Sequence, residues 1–345
     1  MKALVYRGSG RREWAEVPDA ALIDPTDAVV RITATTICGT DLHILRGDVP
    51  QVEPGRVLGH EAVGIVEQVG QAVTGLEPGH RVLVSCISAC GRCRYCRASI
   101  YSQCLGGGGW MLGHRVDGTH AEYVRVPFAD WSTHVLPDSV TDEDAVMMSD
   151  ILPTAFETGV RNGAVQPGQA VVVVGPGPIG LAVITTARLF TPGLIIAVGR
   201  SSGRLAAAKR FGADIALSAA DDPVAAVAEL TGGLGADVAV EAVGAPETFE
   251  LCTRLVRPGG RVANIGVHGE SAALHLQQLW ARNITITTGL VDTSTTPALL
   301  AMSVAGRLDP SQFVTHRFAL PEMEAAYDLF ERAAETGALK VVLSR

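Results

Sequence analysis

Five of the seven cysteines lie in one short stretch, CISACGRCRYCRASIYSQC, at residues 86–104. Four of them, spaced by two, two and seven residues, could wrap one tetrahedral ion: Cys90, Cys93, Cys96 and Cys104. Zinc suits four thiolates, although the same set could hold an iron–sulfur cluster. Four protein ligands leave no open position, so we expect a structural metal in a lobe of about residues 86–110. Cys86 lies outside the spacing and is expected to be a small buried hydrophobic residue.

A second group of possible metal ligands is dispersed along the chain. The segment TICGTDLHILRGD contains Cys38, and the segment LGHEAVGIVEQVG contains His60 and Glu61. Taken singly, Cys38 could be a core residue and His60 a hydrogen-bonded loop histidine. Together with the four-cysteine lobe, however, these segments resemble the zinc-dependent medium-chain alcohol dehydrogenases. The resemblance covers essentially the whole chain, and the pattern is closest to that of the bacterial NADP-dependent secondary-alcohol dehydrogenases.

The resemblance implies a second, catalytic zinc. Its expected ligands are Cys38, His60 and Asp150, the last in the segment MMSDILPT, and a fourth position would stay open for water or alcohol. Glu61 could also ligate the metal, or it could only shape the local field. Thr40 and His43 match the positions of the family's proton relay, and a histidine can accept and release protons near neutral pH.

The same resemblance places four apolar residues around the substrate: Ile87, Trp110, Leu290 and Val291. The glycine run at residues 106–109 is expected to shape this pocket together with Trp110. Such walls suit a small apolar alcohol or ketone better than a sugar. Discrimination in an apolar pocket is only about 1–3 kcal/mol per methylene, so the sequence does not name the substrate. A polyol or threonine dehydrogenase of the same fold is the nearest alternative.

A glycine-rich turn predicts a dinucleotide site. In QAVVVVGPGPIGLAVITTA a β-branched run is followed by G-x-G-x-x-G and then by a helical pattern. This context makes the motif specific, because the turn brings a helix N-terminus to the pyrophosphate. The residues expected to contact the cofactor are Gly175, Gly177, Pro178, Ile179 and Gly180.

The choice of NADP follows from the end of the next strand, in IIAVGRSSGRL. No acidic residue occurs between Gly180 and Asp214, where NAD-binding relatives hold the ribose with a carboxylate. Instead Gly199 is expected to leave room for a 2′-phosphate. Arg200 could pair with it bidentately, while Ser201 and Arg204 add a hydroxyl and a charge. By the resemblance, Lys340 near the C-terminus is also expected to reach the phosphates of the cofactor.

The elements that must position these residues are those of an α/β protein. Six strand-like runs alternate with helical stretches between Val171 and Leu290, which predicts a doubly wound parallel Rossmann sheet. Its flanks, residues 1–152 and 291–345, would then form the zinc-bearing catalytic domain, which the resemblance implies is mainly β and GroES-like. Residues 153–290 would form the dinucleotide-binding domain, with the active cleft between the two.

Composition limits the other classes of function. The 345-residue chain has a net charge of −8, which argues against nucleic acid as a main partner, and it has no apolar run long enough for a membrane helix. Without a secretory signal, the cysteines indicate a reducing, cytoplasmic setting. We expect two zinc ions, NADP(H) and a homo-oligomer, a tetramer more than a dimer. A non-catalytic zinc- and nucleotide-binding protein is the alternative from another class.

Overall fold

The computed structural model describes residues 1–345, whose strands form three sheets. The strands are β1 (Lys2–Tyr6), β2 (Arg12–Glu16), β3 (Ala28–Thr36), β4 (Ala62–Val69), β5 (Arg81–Val84), β6 (Tyr123–Val126), β7 (Thr133–Val135), β8 (Ala170–Val174), β9 (Leu194–Gly199), β10 (Ile215–Ser218), β11 (Ala236–Glu241), β12 (Val256–Asn264), β13 (Thr285–Thr288), β14 (Val314–Ala319) and β15 (Lys340–Ser344).

Seven of the thirteen α-helices have eight to ten residues, and the other six have four or five. The α-helices are α1 (Gly39–Arg46), α2 (Arg94–Arg97), α3 (Ala129–Ser132), α4 (Asp142–Val146), α5 (Ile151–Thr154), α6 (Pro178–Ala187), α7 (Ser202–Arg210), α8 (Pro223–Leu230), α9 (Pro246–Leu255), α10 (Leu276–Leu279), α11 (Thr296–Val304), α12 (Met323–Glu331) and α13 (Ala333–Thr336). A π-helical stretch covers Ala155–Arg161, and short 3-10 turns cover Tyr101–Gln103, Arg188–Phe190, Ser311–Phe313 and Leu320–Glu322.

The chain divides into two compact units, Met1–Pro153 with Asp292–Arg345, and Thr154–Val291. The boundaries expected from the sequence, 152/153 and 290/291, lie one residue from these. None of the helices offers an apolar stretch of membrane-spanning length.

The first unit is built on a seven-stranded sheet in the order β14-β15-β3-β4-β5-β7, with β6 also paired to β3. All pairings are antiparallel except that of β14 with β15. The central strand β3, AVVRITATT, is rich in β-branched residues and almost wholly buried, which suits a strand paired on both sides. Its last residues lead directly into the turn that holds Cys38.

The C-terminal segment completes the core of this unit. Helix α12 buries Tyr327 and Phe330 among apolar residues of the N-terminal half, including Leu4, Ile37 and Leu58. Tyr327 is fully buried. Residues more than 250 positions apart in the chain therefore share one hydrophobic cluster, and the C-terminal helix contributes to the same core as the loops around Cys38 and His60.

The second unit contains the predicted Rossmann sheet, which is confirmed. Its six strands run parallel in the order β10-β9-β8-β11-β12-β13. Strand β8, AVVVV, is a continuous apolar run because both faces of a central parallel strand are covered. The strand order reverses between β8 and β11, and ligands of such sheets bind at this switch point. The glycine-rich turn begins there, directly after β8.

Candidate active site

The four cysteines of the short stretch converge on one point. Their sulfur atoms all lie within 4.8 Å of one another: Cys90, Cys93, Cys96 and Cys104. The backbone N–H groups of Cys96 and Leu105 donate to Cys93 Sγ at 3.4 Å. The first of these bonds is the main reason that the pKa of Cys93 falls to about 6. Because thiolate is the form that binds metal, this sulfur cluster fits a tetrahedral structural ion.

The glycine run beside this cluster has a packing role. A Cβ on Gly106 would lie 2.6 Å from Cys90 Sγ, and one on Gly108 would lie 2.3 Å from Ser88 O. Neither position can take a larger residue without moving the metal lobe. Close packing at the sulfurs therefore accounts for these glycines, beside any effect on the predicted substrate pocket.

The dispersed ligands converge as well. One ligand atom from each of Cys38, His60, Glu61 and Asp150 lies within 4.8 Å of the others. Asp150 Oδ2 lies 3.5 Å from Cys38 Sγ and 3.3 Å from His60 Nε2. Cys38 is the N-cap of α1, His60 and Glu61 directly precede β4, and Asp150 lies between α4 and α5. Ends of separate elements thus bring soft and hard ligands together at one place.

A buried aspartate lies behind the histidine of this cluster. His60 is 3% exposed, and its Nδ1 lies 3.6 Å from Oδ1 of the fully buried Asp41. Neither atom has a hydrogen-bond partner. Burial disfavours the imidazolium, but Asp41 and Asp150 outweigh it and raise the pKa of His60 well above its ordinary value. A metal at Nε2 would leave the proton on Nδ1, facing this carboxylate, as zinc-binding histidines require.

The charges of the cluster also fit a divalent cation. Burial, followed by Asp150 and Glu61, raises the pKa of the Cys38 thiol. Without a cation, these acidic groups oppose one another's ionisation in a buried place. A divalent ion reverses that effect and deprotonates a coordinating thiol. The donor set of Cys38, His60 and Asp150 therefore fits zinc, with Glu61 within reach.

Glu61 has a basic partner of its own. Nζ of Lys340 lies 2.6 Å from Glu61 Oε2 and donates to Ile37 O at 3.2 Å. Burial raises the pKa of Glu61 to about 7. Burial also disfavours the ammonium of Lys340, yet Glu61 raises its pKa above the ordinary value, so we describe the pair as ionic. Lys340 thus has two hydrogen-bond partners beside the candidate metal ligands. Its contact with the cofactor phosphates stays a prediction.

The two predicted relay residues lie on the same turn of chain. Thr40 Oγ1 lies 3.7 Å from Cys38 Sγ, which places its hydroxyl next to the metal cluster. His43 lies farther along α1, and its Nδ1 is 2.8 Å from Asp48 Oδ2. The side chain of His43 is about a quarter exposed, at 28%. A hydroxyl near the candidate metal ligands and a partly exposed imidazole are suitable for moving a proton towards water.

Some of the predicted wall residues adjoin the cluster. The rings of Trp110 and His60 meet edge to face, with centroids 6.3 Å apart, and His114 stacks on the indole at 4.3 Å. Ile87 is buried, at 2% exposure. The neighbouring Cys86 is buried as expected, but its Sγ lies 3.6 Å from Asp150 Oδ1, so it touches a ligand. Leu290 and Val291 belong to the second unit, and their part in the pocket stays a prediction.

The glycine-rich turn has the geometry that a dinucleotide needs. Gly177 is the N-cap of α6 and Pro178 its first residue, so the helix begins in the middle of the motif. A Cβ on Gly180 would lie 2.1 Å from Gly175 O, which explains why the last glycine must be small. The free N-terminus of α6 therefore lies at the switch point of the sheet, where it can attract a pyrophosphate.

The end of β9 differs in one respect from the sequence-based expectation. Gly199 is buried, and a Cβ there would lie 2.7 Å from the ring of Pro176. Close packing against the glycine-rich turn, rather than room for a phosphate alone, therefore requires glycine. Arg200 is exposed, and Ser201 caps α7 by accepting a hydrogen bond from Arg204 N. Burial lowers the pKa of Arg204 from its ordinary value.

Three further residues lie fully buried close to the candidate ligands and were not predicted from the sequence: Asp41, His120 and Tyr327. A signal for Asp41 was present, because its carboxylate accepts from Cys38 N at 2.9 Å in a capping arrangement over three residues. His120 and Tyr327 had no local signal. They meet across 207 positions, with Tyr327 OH 2.9 Å from His120 Nδ1.

Comparisons with known proteins agree with this geometry. The alcohol dehydrogenase GroES-like domain model matches residues 24–138, and the zinc-binding dehydrogenase model matches residues 178–304. An alcohol dehydrogenase of Cupriavidus necator is 39% identical over 99% of this chain and 98% of its own. The NADP-dependent isopropanol dehydrogenase of Thermoanaerobacter brockii is 33% identical over 96% of each chain.

A solved structure is similar along its whole length. Zinc-dependent alcohol dehydrogenase 2 from Streptococcus pneumonia, in its apo form, is 44% identical with a TM-score of 0.96, covering 100% of this chain and 98% of its own. The family models, the relatives and the solved structure therefore agree. The chain belongs to the zinc-dependent medium-chain alcohol dehydrogenase family.

Proposed function

We propose that this member of the family oxidises small apolar alcohols, secondary ones above all, to ketones with NADP, and catalyses the reverse reduction. The observation that supports this most is the buried group of Cys38, His60 and Asp150, with Asp41 behind His60. When bound, zinc supplies Lewis acidity towards the alcohol oxygen, and the oxidised nicotinamide accepts the hydride. A second zinc at the four cysteines would stabilise the lobe only.

The residues of the chain hold the charges and move the proton. Two anionic ligands, Cys38 and Asp150, with a neutral His60 balance the charge of a divalent ion. As hydride leaves the carbinol carbon, the hydroxyl proton has to reach water. We propose that it passes through the hydroxyl of Thr40, 3.7 Å from Cys38 Sγ, and on to His43. Asp48 orients that imidazole through Nδ1.

Two observations support NADP as the cofactor. Arg200, exposed at the end of β9, can form charge-assisted hydrogen bonds with a 2′-phosphate, each worth roughly 1.5–3 kcal/mol. The Thermoanaerobacter brockii relative is named as NADP-dependent. From these we expect at least a tenfold preference for NADPH in kcat/KM.

We also propose a cytoplasmic homo-oligomer, a tetramer rather than a dimer. None of the seven cysteines forms a disulfide, which suits a reducing compartment. The second unit exposes Trp280 by 78%, Leu276 by 60% and Leu274 by 45% beside its edge strand β13, and such a patch is typical of an interaction surface. Light scattering on a sizing column measures the mass, which should fall in Trp280→Ser. A monomeric parent would contradict the proposal.

The experiment that tests the activity is a panel of alcohols and ketones, measured with both cofactors. We expect short secondary alcohols and their ketones to be turned over best, with NADP. A polyol or L-threonine as the best substrate would favour the nearest alternative within the fold. No turnover by protein that binds both zinc and nucleotide would favour a non-catalytic role.

A further inference from the structure

A second buried histidine lies beside the catalytic ligands without being one of them. His120 has no exposed surface, and both of its ring nitrogens have partners. Nδ1 lies 2.9 Å from Tyr327 OH, and Nε2 lies 3.3 Å from the carbonyl oxygen of Thr36. A wholly buried polar pair is costly unless its hydrogen bonds are made, and apolar residues would fill the same volume.

These partners decide which nitrogen holds the proton. A carbonyl oxygen can only accept, so Nε2–H donates to Thr36 O. Burial lowers the pKa of His120, and the ring is therefore neutral. Its Nδ1 is then an acceptor, and the hydroxyl of Tyr327 donates to it. The two hydrogen bonds therefore run in one direction, from Tyr327 through His120 to Thr36.

His120 connects the two segments that present the catalytic ligands. Thr36 ends β3, two residues before Cys38, and Gly59 directly precedes His60. The ring of His120 covers Gly59 so closely that a Cβ there would lie 2.4 Å from His120 Cδ2. Gly59 has φ +92°, a left-handed conformation in which any other residue would be strained.

Backbone hydrogen bonds also connect residues 119–120 to the chain around His60. His120 N–H donates to Leu58 O at 2.9 Å, and Thr119 N–H donates to Gly59 O at 3.0 Å. The hydroxyl of Thr119 donates to Glu61 O at 3.2 Å. The segment at 119–120 therefore contacts the chain before and after His60, and the His120 ring extends that contact to the β3 end.

Tyr327 fixes the ring from the C-terminal side. It lies on α12 without exposed surface, and its ring meets that of His120 edge to face at 5.6 Å. The guanidinium of Arg12 lies over the Tyr327 ring at 5.0 Å, and the same group pairs with Asp328 and Glu331 on α12. The tyrosine therefore has little freedom to turn away from His120.

We propose that His120, held by Tyr327, is a positioning residue that sets the separation of Cys38 and His60 for the catalytic metal. This rests on the proposed catalytic zinc site. Residues that orient metal ligands typically change metal affinity by 10–100-fold when they are replaced. The four-cysteine site has no part in this connection and should not respond.

The test measures metal binding in the full chain. Tyr327→Phe removes only the hydroxyl, and His120→Phe replaces the imidazole with a somewhat larger ring that makes no hydrogen bonds. Tyr6→Phe in the same hydrophobic cluster is the matched control. Each metal-free protein is titrated with Co²⁺ in competition with a chromophoric chelator, and the ligand-field absorption of the bound ion is recorded. His120→Gln, whose amide nitrogen can reach Thr36 O, should rescue part of the loss.

We expect the catalytic site of Tyr327→Phe and His120→Phe to bind Co²⁺ at least about tenfold more weakly, with a shifted absorption band. The four-cysteine site and the Tyr6→Phe control should match the parent protein. Parent-like affinity and spectrum at the catalytic site of both variants would overturn the inference. So would equal weakening of both metal sites, because that would indicate general destabilisation. A parent protein that binds Co²⁺ only at the four cysteines would instead overturn the proposed catalytic site.

Discussion

Lys340 and Glu61 form a buried ion pair with 2.6 Å between Nζ and Oε2, and Glu61 directly follows the proposed metal ligand His60. Lys340 is 2% exposed and Glu61 is not exposed at all. Each charge needs the other, because neither reaches water. The pair joins the last strand, β15, to the turn before β4. It therefore connects the C-terminal strand to the candidate metal ligands.

Removing the lysine should destabilise the fold. Lys340→Met leaves Glu61 buried without its partner, and breaking a buried pair in this way costs about 3–5 kcal/mol. Urea unfolding of the two proteins at neutral pH measures the difference. The double variant Glu61→Gln with Lys340→Met should recover part of the loss, since no isolated charge remains. The single variant Glu61→Gln completes the comparison, and a loss in the double variant equal to the sum of the two single losses would show that the residues do not interact.

The two metal sites should respond differently to substitution. Cys38→Ser and Asp150→Ala should abolish turnover and leave a folded protein that binds cofactor with about one zinc per chain. Cys93→Ser should instead lower the melting temperature, because four thiolates then no longer close the lobe. Elemental analysis and thermal unfolding make the comparison. A Cys93→Ser protein with parental zinc content and stability would argue against a structural metal there.

The arginine after β9 should govern the choice of cofactor. Arg200→Leu removes the charge expected to contact the 2′-phosphate, and kcat/KM for NADPH should fall about tenfold or more while that for NADH changes little. Steady-state rates at varied NADPH or NADH, with one fixed ketone concentration, give the ratio. Arg210→Leu, at the C-terminal end of α7, the helix that follows Arg200, is the control. Equal loss with both cofactors would assign Arg200 another role.

Gly199→Asp should not convert the enzyme cleanly to NAD. Its Cβ would lie 2.7 Å from Pro176, within the glycine-rich turn, so the turn has to shift. We expect lower kcat/KM with both cofactors and a reduced melting temperature. Improved efficiency with NADH in this single variant would show that the turn adapts to the new side chain.

His134, on β7, should make the fold sensitive to acid. Burial lowers the pKa of His134 to about 4. In the unfolded chain a histidine protonates near 6.5, so below that pH the unfolded state binds the proton more tightly. The contribution to stability is complete above pH 6.5 and is lost as pH falls towards 4. At pH 5 the loss should approach ~2 kcal/mol relative to pH 7.5.

His134→Gln should remove that part of the pH dependence. Urea unfolding at pH 7.5 and pH 5 should show a smaller difference in the variant than in the parent. His316→Gln removes one imidazole from β14 of the same unit and should keep the parental slope. If both variants behave alike, the burial of His134 does not control the acid sensitivity.

The features of the fold whose residues lie close together in the sequence were predictable. Strand β8 and the turn from Gly175 to Gly180 are adjacent in sequence, so their pattern is complete within about ten residues. The four-cysteine site was equally predictable, because cysteines so close in the sequence can bring their sulfur atoms to one ion. The packing of Gly199 on Pro176 was not, since it depends on how the turn lies over the end of β9.

Contacts across long separations could not be predicted from local patterns. Glu61 and Lys340 are 279 positions apart, and His120 and Tyr327 are 207 apart. Each residue has an ordinary neighbourhood in the sequence, and its role appears only when α12 and β15 pack against the N-terminal half. The resemblance to a family indicated Cys38, His60 and Asp150, but not the buried residues that hold them.

The most direct test of the account is the rate of NADP reduction by propan-2-ol as catalytic zinc is removed and restored. The protein is dialysed against a chelator until about one zinc per chain remains, and zinc is then added back stepwise. We predict that activity disappears with the second zinc, returns in proportion to it, and never returns in Asp150→Ala. Turnover that persists in protein with only the four-cysteine site occupied would contradict the central claim.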